Sequence, residues 1–169
     1  MVTLDEKLAS VSRRELAELG MELSARNIAA YSQMLLDELG KERAMDVIYK
    51  QRYDFFYAIA RKSAEAQGNP KDFKTLAERS KDSFDRPFVV PSEIVELTET
   101  RYRFRSKGCL IGNAILKLNL DQDLLDVVKL WCTHDFGHFK GWNPDMKFDR
   151  LKFILDGDDC CEFVCEMEE

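Results

Sequence analysis

Pro87 and Pro91 divide this chain, because neither can sit inside a helix and each drives the residue before it toward extended backbone. Ahead of them the apolar residues recur at helical spacing, and beyond them the period changes toward two. A chain that gathers helices on one side of such a change and adds strands on the other reads as an α+β fold, a helical amino-terminal half packed with a small antiparallel β-sheet and two further helices.

The first half is punctuated as three helices. Ser12 with Glu15 forms a capping box, and Leu16, Leu19, Leu23, Ile28, Tyr31, Leu35 and Leu39 make an apolar stripe that Gly40 ends. A second helix over 42–67 carries Met45, Ile48, Tyr49, Phe55, Phe56 and Ile59, closed by Gly68, Asn69 and Pro70. A third from Asp72 to about Phe84 carries Phe73, Leu76 and Ala77.

Residues 93–105 are rich in β-branched and aromatic types and read as one strand, whose apolar phase slips near Thr98 to Thr100 as a bulge or bend would make it. Helices are expected over 109–118 and 121–133. Strands over 146–155 and 160–167, joined by Asp156, Gly157, Asp158 and Asp159, form a closing hairpin, so three strands are expected in all. Alternation of Cys161, Phe163, Cys165 and Met167 with Glu162, Val164 and Glu166 buries one face of the last strand. No repeat or linker argues for a second unit, so residues 1–169 are read as one domain, with a helical layer over about 1–85 and a site-bearing half over about 88–169.

Charge narrows the function classes. Lys and Arg number 25 against 31 Asp and Glu, a net charge of −6, with no long block of one sign, so a nucleic-acid footprint is not expected. No apolar run is long enough to span a membrane, and residues 1–7 lack the basic and apolar regions of a signal peptide, so the expected compartment is the cytoplasm. There the five cysteines are thiols, better suited to reactive or metal-binding chemistry than to disulfides.

The densest chemistry lies in Trp131-Cys132-Thr133-His134-Asp135-Phe136-Gly137-His138, which puts a thiol, two imidazoles and a carboxylate within two helical turns. His134 and His138 share a face if the helix continues through Gly137, and Cys132 and Asp135 share another. Such a set serves as a nucleophile with its base and orienting acid, or as half of a metal site. The plainer alternative is a helix end with a buried cysteine and solvated histidines. Cys109 follows Gly108 at an expected helix start, where backbone amides would lower its pKa, although a packed core cysteine fits the position as well. Cys161 defaults to core packing, with Cys160 and Cys165 ranked below it. Asp158 and Asp159 belong to a turn, where carboxylates usually cap amides. Arg101, Arg103 and Arg105 read as a solvated strand face, with Arg101, Arg103 and Arg150 available to a substrate carboxylate. Phosphate loops, serine elbows, H-E-x-x-H and paired C-x-x-C motifs are absent.

Over roughly residues 90–165 the chain resembles the L-2-amino-thiazoline-4-carboxylic acid hydrolase-like family. The resemblance is carried by Cys109 before a short helix, Cys132-x-x-Asp135, Asn143-Pro144, the strand Lys147-Phe148-Asp149-Arg150, and Gly157-Asp158-Asp159-Cys160-Cys161-Glu162-Phe163. It implies hydrolytic opening of a cyclic amidine to N-carbamoyl-L-cysteine, a step in bacterial cysteine metabolism, with Cys109, Cys132, Asp135 and Cys161 as the polar positions. The implied chemistry is attack by the thiolate of Cys132 or Cys109 on the amidine carbon, with Asp135 or His134 moving the proton.

A weaker similarity, to small-molecule-binding domains of the 4-vinyl reductase type, rests on Cys132 and on Gly-x-x-x-Cys161. It implies a sensing or zinc-binding module without turnover. Zinc would be held by Cys109, Cys132 and Cys161, with Asp135 or His134 completing the set; the hydrolase reading requires no cofactor. A third alternative is a helical interaction protein whose cysteines only pack. The leading expectation is a hydrolase of a small cyclic amidine, with a pocket lined by Cys109, Cys132, His134, Asp135 and Cys161. Its partner is a small molecule, neither nucleic acid nor membrane is involved, and a homo-oligomer is left open.

Overall fold

The computed structural model describes residues 11–84 and 92–167 of the chain. The break read at Pro87 and Pro91, and the residues 1–7 searched for a signal peptide, lie outside them. The described residues form an α+β structure in which helices cover one face of a four-stranded antiparallel sheet.

Helix α1 spans Arg13–Leu39 and begins as expected: the Glu15 N–H donates to Ser12 Oγ at 3.2 Å, while the Ser12 N–H donates to the Glu15 carboxylate at 2.7 Å. Gly40, at φ +74°, both ends α1 and starts α2, which spans Lys41–Ala66. Only glycine adopts that backbone without strain.

The expected apolar stripes face largely outward. On α1, Leu16, Leu19, Leu23, Tyr31 and Leu39 are exposed, and Ala17, Ala25, Ala29 and Ser32 are buried. On α2, Tyr49, Phe55 and Ile59 are exposed, whereas Ala44, Ile48, Ala60 and Ala64 are buried. Close helix packing explains the inversion, since small side chains let backbones approach and the large ones are left on the far side.

After α3, Phe73–Phe84, with Phe73, Leu76 and Ala77 in the core as expected, comes a hairpin rather than one strand. Strand β1 is Ser92–Leu97 and β2 is Arg101–Ser106. Thr98 reverses the chain: its N–H donates to the Arg101 carbonyl at 2.8 Å, and its hydroxyl accepts the Arg101 N–H at 2.9 Å. The slip in apolar phase marks a reversal, and the sheet has four strands instead of three.

Cys109 caps α4, Leu110–Leu116, and Asp121 caps α5, Gln122–Lys129. The helix expected to reach residue 133 tightens into a 3₁₀ turn at Leu130–Thr133 and resumes as α6, His134–Trp142. Strand β3, Lys147–Lys152, stops short of its expected end, because a second 3₁₀ turn, Ile154–Asp156, follows. Asp158 fixes that turn by accepting the Phe153 N–H at 2.7 Å. Strand β4, Cys161–Glu166, completes the order β1-β2-β4-β3.

Both faces of β4 are buried, not one. Inward, Phe163 stacks on Phe104 with ring centroids 5.1 Å apart and on Phe148 at 5.6 Å. Outward, Glu162 is 1% exposed, gripped by Arg103 and Arg105 of the neighbouring strand, with Arg105 Nε 2.7 Å from its carboxylate. Burial pushes the Glu162 carboxyl up, and the hydrogen bonds from Arg105 and Arg103 outweigh that and hold it below the usual carboxylate range. The arginines read as a solvated face are thus half-buried ion-pair partners.

Candidate functional site

Two glycines one helical turn apart bring α6 onto α2. A Cβ on Gly137 would lie 2.3 Å from the carbonyl oxygen of Tyr53, and one on Gly141 would lie 2.3 Å from that of Tyr57. Gly137 therefore does not break the helix; it permits a backbone-to-backbone crossing that no larger residue allows. The crossing sets the position of the 3₁₀ turn just ahead of α6, and with it Cys132.

That turn is pinned from three directions. Arg52 of α2 donates Nε to the Trp131 carbonyl at 3.1 Å, and His134 Nδ1 lies 2.9 Å from the same oxygen. A carbonyl only accepts, so Nδ1 carries the proton of that bond and Nε2 faces Asp135 Oδ1 at 3.3 Å. Arg150 of β3 donates Nη2 to the Cys132 carbonyl at 2.7 Å and to Asp135 Oδ2 at 3.2 Å. Its guanidinium lies 4.1 Å from the Phe153 ring centre, and the side chain is 12% exposed. The Trp131 indole N–H reaches Ser32 Oγ of α1 at 2.9 Å, which ties the turn to the first helix.

Beside the turn lies a cavity of about 160 Å³ lined by Cys109, Cys132, His134, Asp135 and Cys161, which come from four different segments of the chain. Phe153, Ile154, Leu155 and Phe163 supply apolar wall. His138 is not among the lining residues; it packs edge-on against Phe139 in the same helix. Asp159 pairs with Lys152 at 3.0 Å, and Asp158 is the cap of the second 3₁₀ turn, as carboxylates in turns usually are. Arg101 meets Glu96 and Glu166, and Arg103 meets Glu162.

All five cysteines are free thiols. The lowering expected for Cys109 at a helix start does not occur. The Gly112 N–H does donate to Cys109 Sγ at 3.4 Å, but burial outweighs it and pushes the thiol up. Burial raises Cys132 beyond the ordinary thiol range, the Asp135 charge adds to the rise, and Arg150 offsets only part of it. Cys161 is pushed up by burial in the same way. The pocket therefore holds protonated thiols beside one carboxylate.

This arrangement forms no zinc ligand set among the described residues. Among the described residues no group of three or more His, Cys, Asp and Glu side chains is disposed to hold a metal ion, so Cys109, Cys132 and Cys161 border one cavity without forming a ligand set. Arg52 carries no sequence signal of a site: it stands amid aromatic residues in an otherwise ordinary helix. Asn143, in the Asn143-Pro144 pair, is 2% exposed and holds the chain beyond α6 by accepting the Asp145 N–H at 3.0 Å.

A model of the family described as L-2-amino-thiazoline-4-carboxylic acid hydrolase matches residues 20–165. No curated protein matches the chain. Among solved structures, a trafficking protein particle complex subunit 3 from Naegleria fowleri, covalently bound to palmitic acid, is 18% identical with a TM-score of 0.58, over 89% of this chain and 96% of its own. The phenol-responsive sensory domain of the transcription activator PoxR, solved with phenol, is 15% identical with a TM-score of 0.59, over 85% of this chain and 74% of its own. At such identities these two likenesses concern the fold. No helix among the described residues is long and apolar enough to cross a membrane.

Proposed function

We infer, from the fact that this chain belongs to the L-2-amino-thiazoline-4-carboxylic acid hydrolase family, that it hydrolyses a small cyclic amidine or a related carbon–nitrogen substrate in the cavity beside Cys132. The observation that carries this reading is the meeting of Cys109, Cys132, His134, Asp135 and Cys161 around about 160 Å³ of largely apolar space. An apolar cavity of about 150 Å³ holds a benzene molecule, so the space suits one five- or six-membered ring and is too small for a fatty acyl chain.

In the proposed step the Cys132 sulfur adds to the ring carbon between sulfur and nitrogen. Its proton passes to Asp135 and then to the departing ring sulfur as that carbon–sulfur bond breaks. Water attacks the resulting thioester-like adduct, Asp135 or His134 takes one of its protons, and the enzyme thiol leaves with that proton. The sum is addition of one water to the ring. A protonated resting thiol makes the base indispensable, because the thiolate forms only as it attacks. Cys109 is the alternative nucleophile in the same cavity, and free thiols suit a cytoplasmic location.

The test is turnover of 2-aminothiazoline-4-carboxylate, followed by the appearance of a new small-molecule thiol. Wild type turns over, and Cys132→Ala and Asp135→Asn each lose turnover. Full activity in both variants removes the mechanism. A second reading, ligand sensing without chemistry, is favoured by the uniformly raised thiols and the apolar walls; it predicts saturable binding of a small ring with no product.

A further inference from the structure

Gly112 is the third residue of α4 and has ordinary helical backbone, so nothing in its φ or ψ calls for glycine. Glycine inside a helix costs about 1 kcal/mol relative to alanine. Space explains the choice. A Cβ on Gly112 would meet Ile154 Cγ2 at 2.7 Å and Cys109 Sγ at 3.4 Å. Gly112 and Ile154 both border the cavity, one from α4 and the other from the second 3₁₀ turn.

Neither wall retreats easily. Gly112 is buried, and its N–H is committed to the Cys109 thiol. Ile154 is 8% exposed and follows Phe153, whose N–H is held by Asp158 at 2.7 Å. A close contact between two anchored elements fixes the width of the space between them, because packed interiors take up added methyl groups only by strain.

We propose that Gly112 and Ile154 form the size limit of this cavity, a specificity-determining pair that admits a single unfused ring and turns away fused or bulky ones. The proposal deepens the reading of this cavity as the ligand site, and it holds for a hydrolase and for a sensor alike. Gly112 leaves the room that the Ile154 side chain needs, so that Ile154 stays out of the ring space while closing it against anything wider.

The experiment uses the full chain and two plain probes, benzene and naphthalene, with binding followed by chemical-shift changes in the protein. Wild type takes benzene in preference to naphthalene. Gly112→Ala weakens benzene binding about tenfold, the effect of roughly one misplaced methyl group. Ile154→Ala brings naphthalene to within about threefold of benzene, and the double variant recovers benzene binding to within about threefold of wild type, as expected for two residues in direct contact. If Gly112→Ala does not fold, Ile154→Ala and the double variant decide the matter.

Unchanged benzene-to-naphthalene selectivity in Ile154→Ala, or a double variant no better than Gly112→Ala, overturns the pair as the size limit. Wild type that takes neither probe overturns it too. Size-selective binding without turnover of any thiazoline leaves this proposal standing and removes the hydrolase.

Discussion

Arg150 Nη2 lies 2.7 Å from the carbonyl oxygen of Cys132, so a side chain from the sheet holds the backbone of a residue that borders the cavity. The same nitrogen reaches Asp135 at 3.2 Å, which leaves the carboxylate and the thiol-bearing residue sharing one cation. Arg150→Met strips both acceptors of their donor in a mostly buried place and is expected to cost about 3 kcal/mol in urea unfolding. Alkylation of Cys132 in the folded protein should also change, because the turn that carries it is released. Wild-type stability together with an unchanged labelling rate would show that the pin is idle.

The crossing of α6 on α2 gives a second expectation. Gly137→Ala and Gly141→Ala each force a methyl group to 2.3 Å from a backbone oxygen, so each is expected to lower stability by about 1–3 kcal/mol or more and to disturb the turn at Cys132. Gly20, in the middle of α1, has nothing within 4 Å of its missing Cβ. Gly20→Ala should therefore stabilise by up to about 1 kcal/mol through helix propensity. Thermal unfolding of the three variants side by side checks both signs.

Raised thiols couple stability to alkaline pH. In the unfolded chain the cysteines ionise near their free value of about 8.5, while the buried Cys132 and Cys165 hold their protons well above it. The unfolded state then binds fewer protons, so the stability these thiols contribute is complete below about pH 8.5 and is lost as pH rises, by up to about 1.4 kcal/mol per unit for each thiol. Cys165→Ala should flatten the decline by one proton between pH 8.5 and 10, as read from urea unfolding at several pH values. An identical slope in wild type and variant counts against this coupling.

Glu162 behaves in the opposite sense. Arg105 and Arg103 hold its carboxyl below the usual range, so the stability from this cluster is complete above about pH 4.3, the free value of a glutamate, and is lost as pH falls through the depressed folded value. Glu162→Gln leaves two arginines, each about a third exposed or less, without their shared partner. A loss of about 1–3 kcal/mol is expected at neutral pH, shrinking toward zero in acid. A variant with the wild-type acid transition would falsify this assignment.

Much of this structure could be read from residues alone where the signal is local. The Ser12 capping box, Gly40, the core positions of α3 and the turn carboxylates follow from short-range chemistry, and the five residues grouped in advance do border one cavity. What escaped was decided at long range. Thr98 reverses a strand because Arg101 answers it across the turn, and Leu16, Leu19, Leu23 and Leu39 of α1 point outward because α4 and α5 pack on the side that carries the alanines. Arg52 became part of the site only when α2 met the 3₁₀ turn 79 residues later. The Cys109 thiol went the other way from its helix-start expectation because desolvation, which no spacing reveals, exceeds the pull of one amide.

The contact between α6 and α2 has a consequence for how relatives of this chain would vary. At Gly137 and Gly141 the opposing atoms are the main-chain oxygens of Tyr53 and Tyr57, which any residue at those positions supplies. Substitution on α2 therefore leaves that part of the contact intact, while substitution on α6 destroys it. Ala60, whose Cβ would lie 3.0 Å from one on Gly141, has to stay small, but the two glycines would otherwise face positions 53 and 57 that are free to drift, and a search for co-varying pairs would pass over most of one of the tightest junctions in the fold.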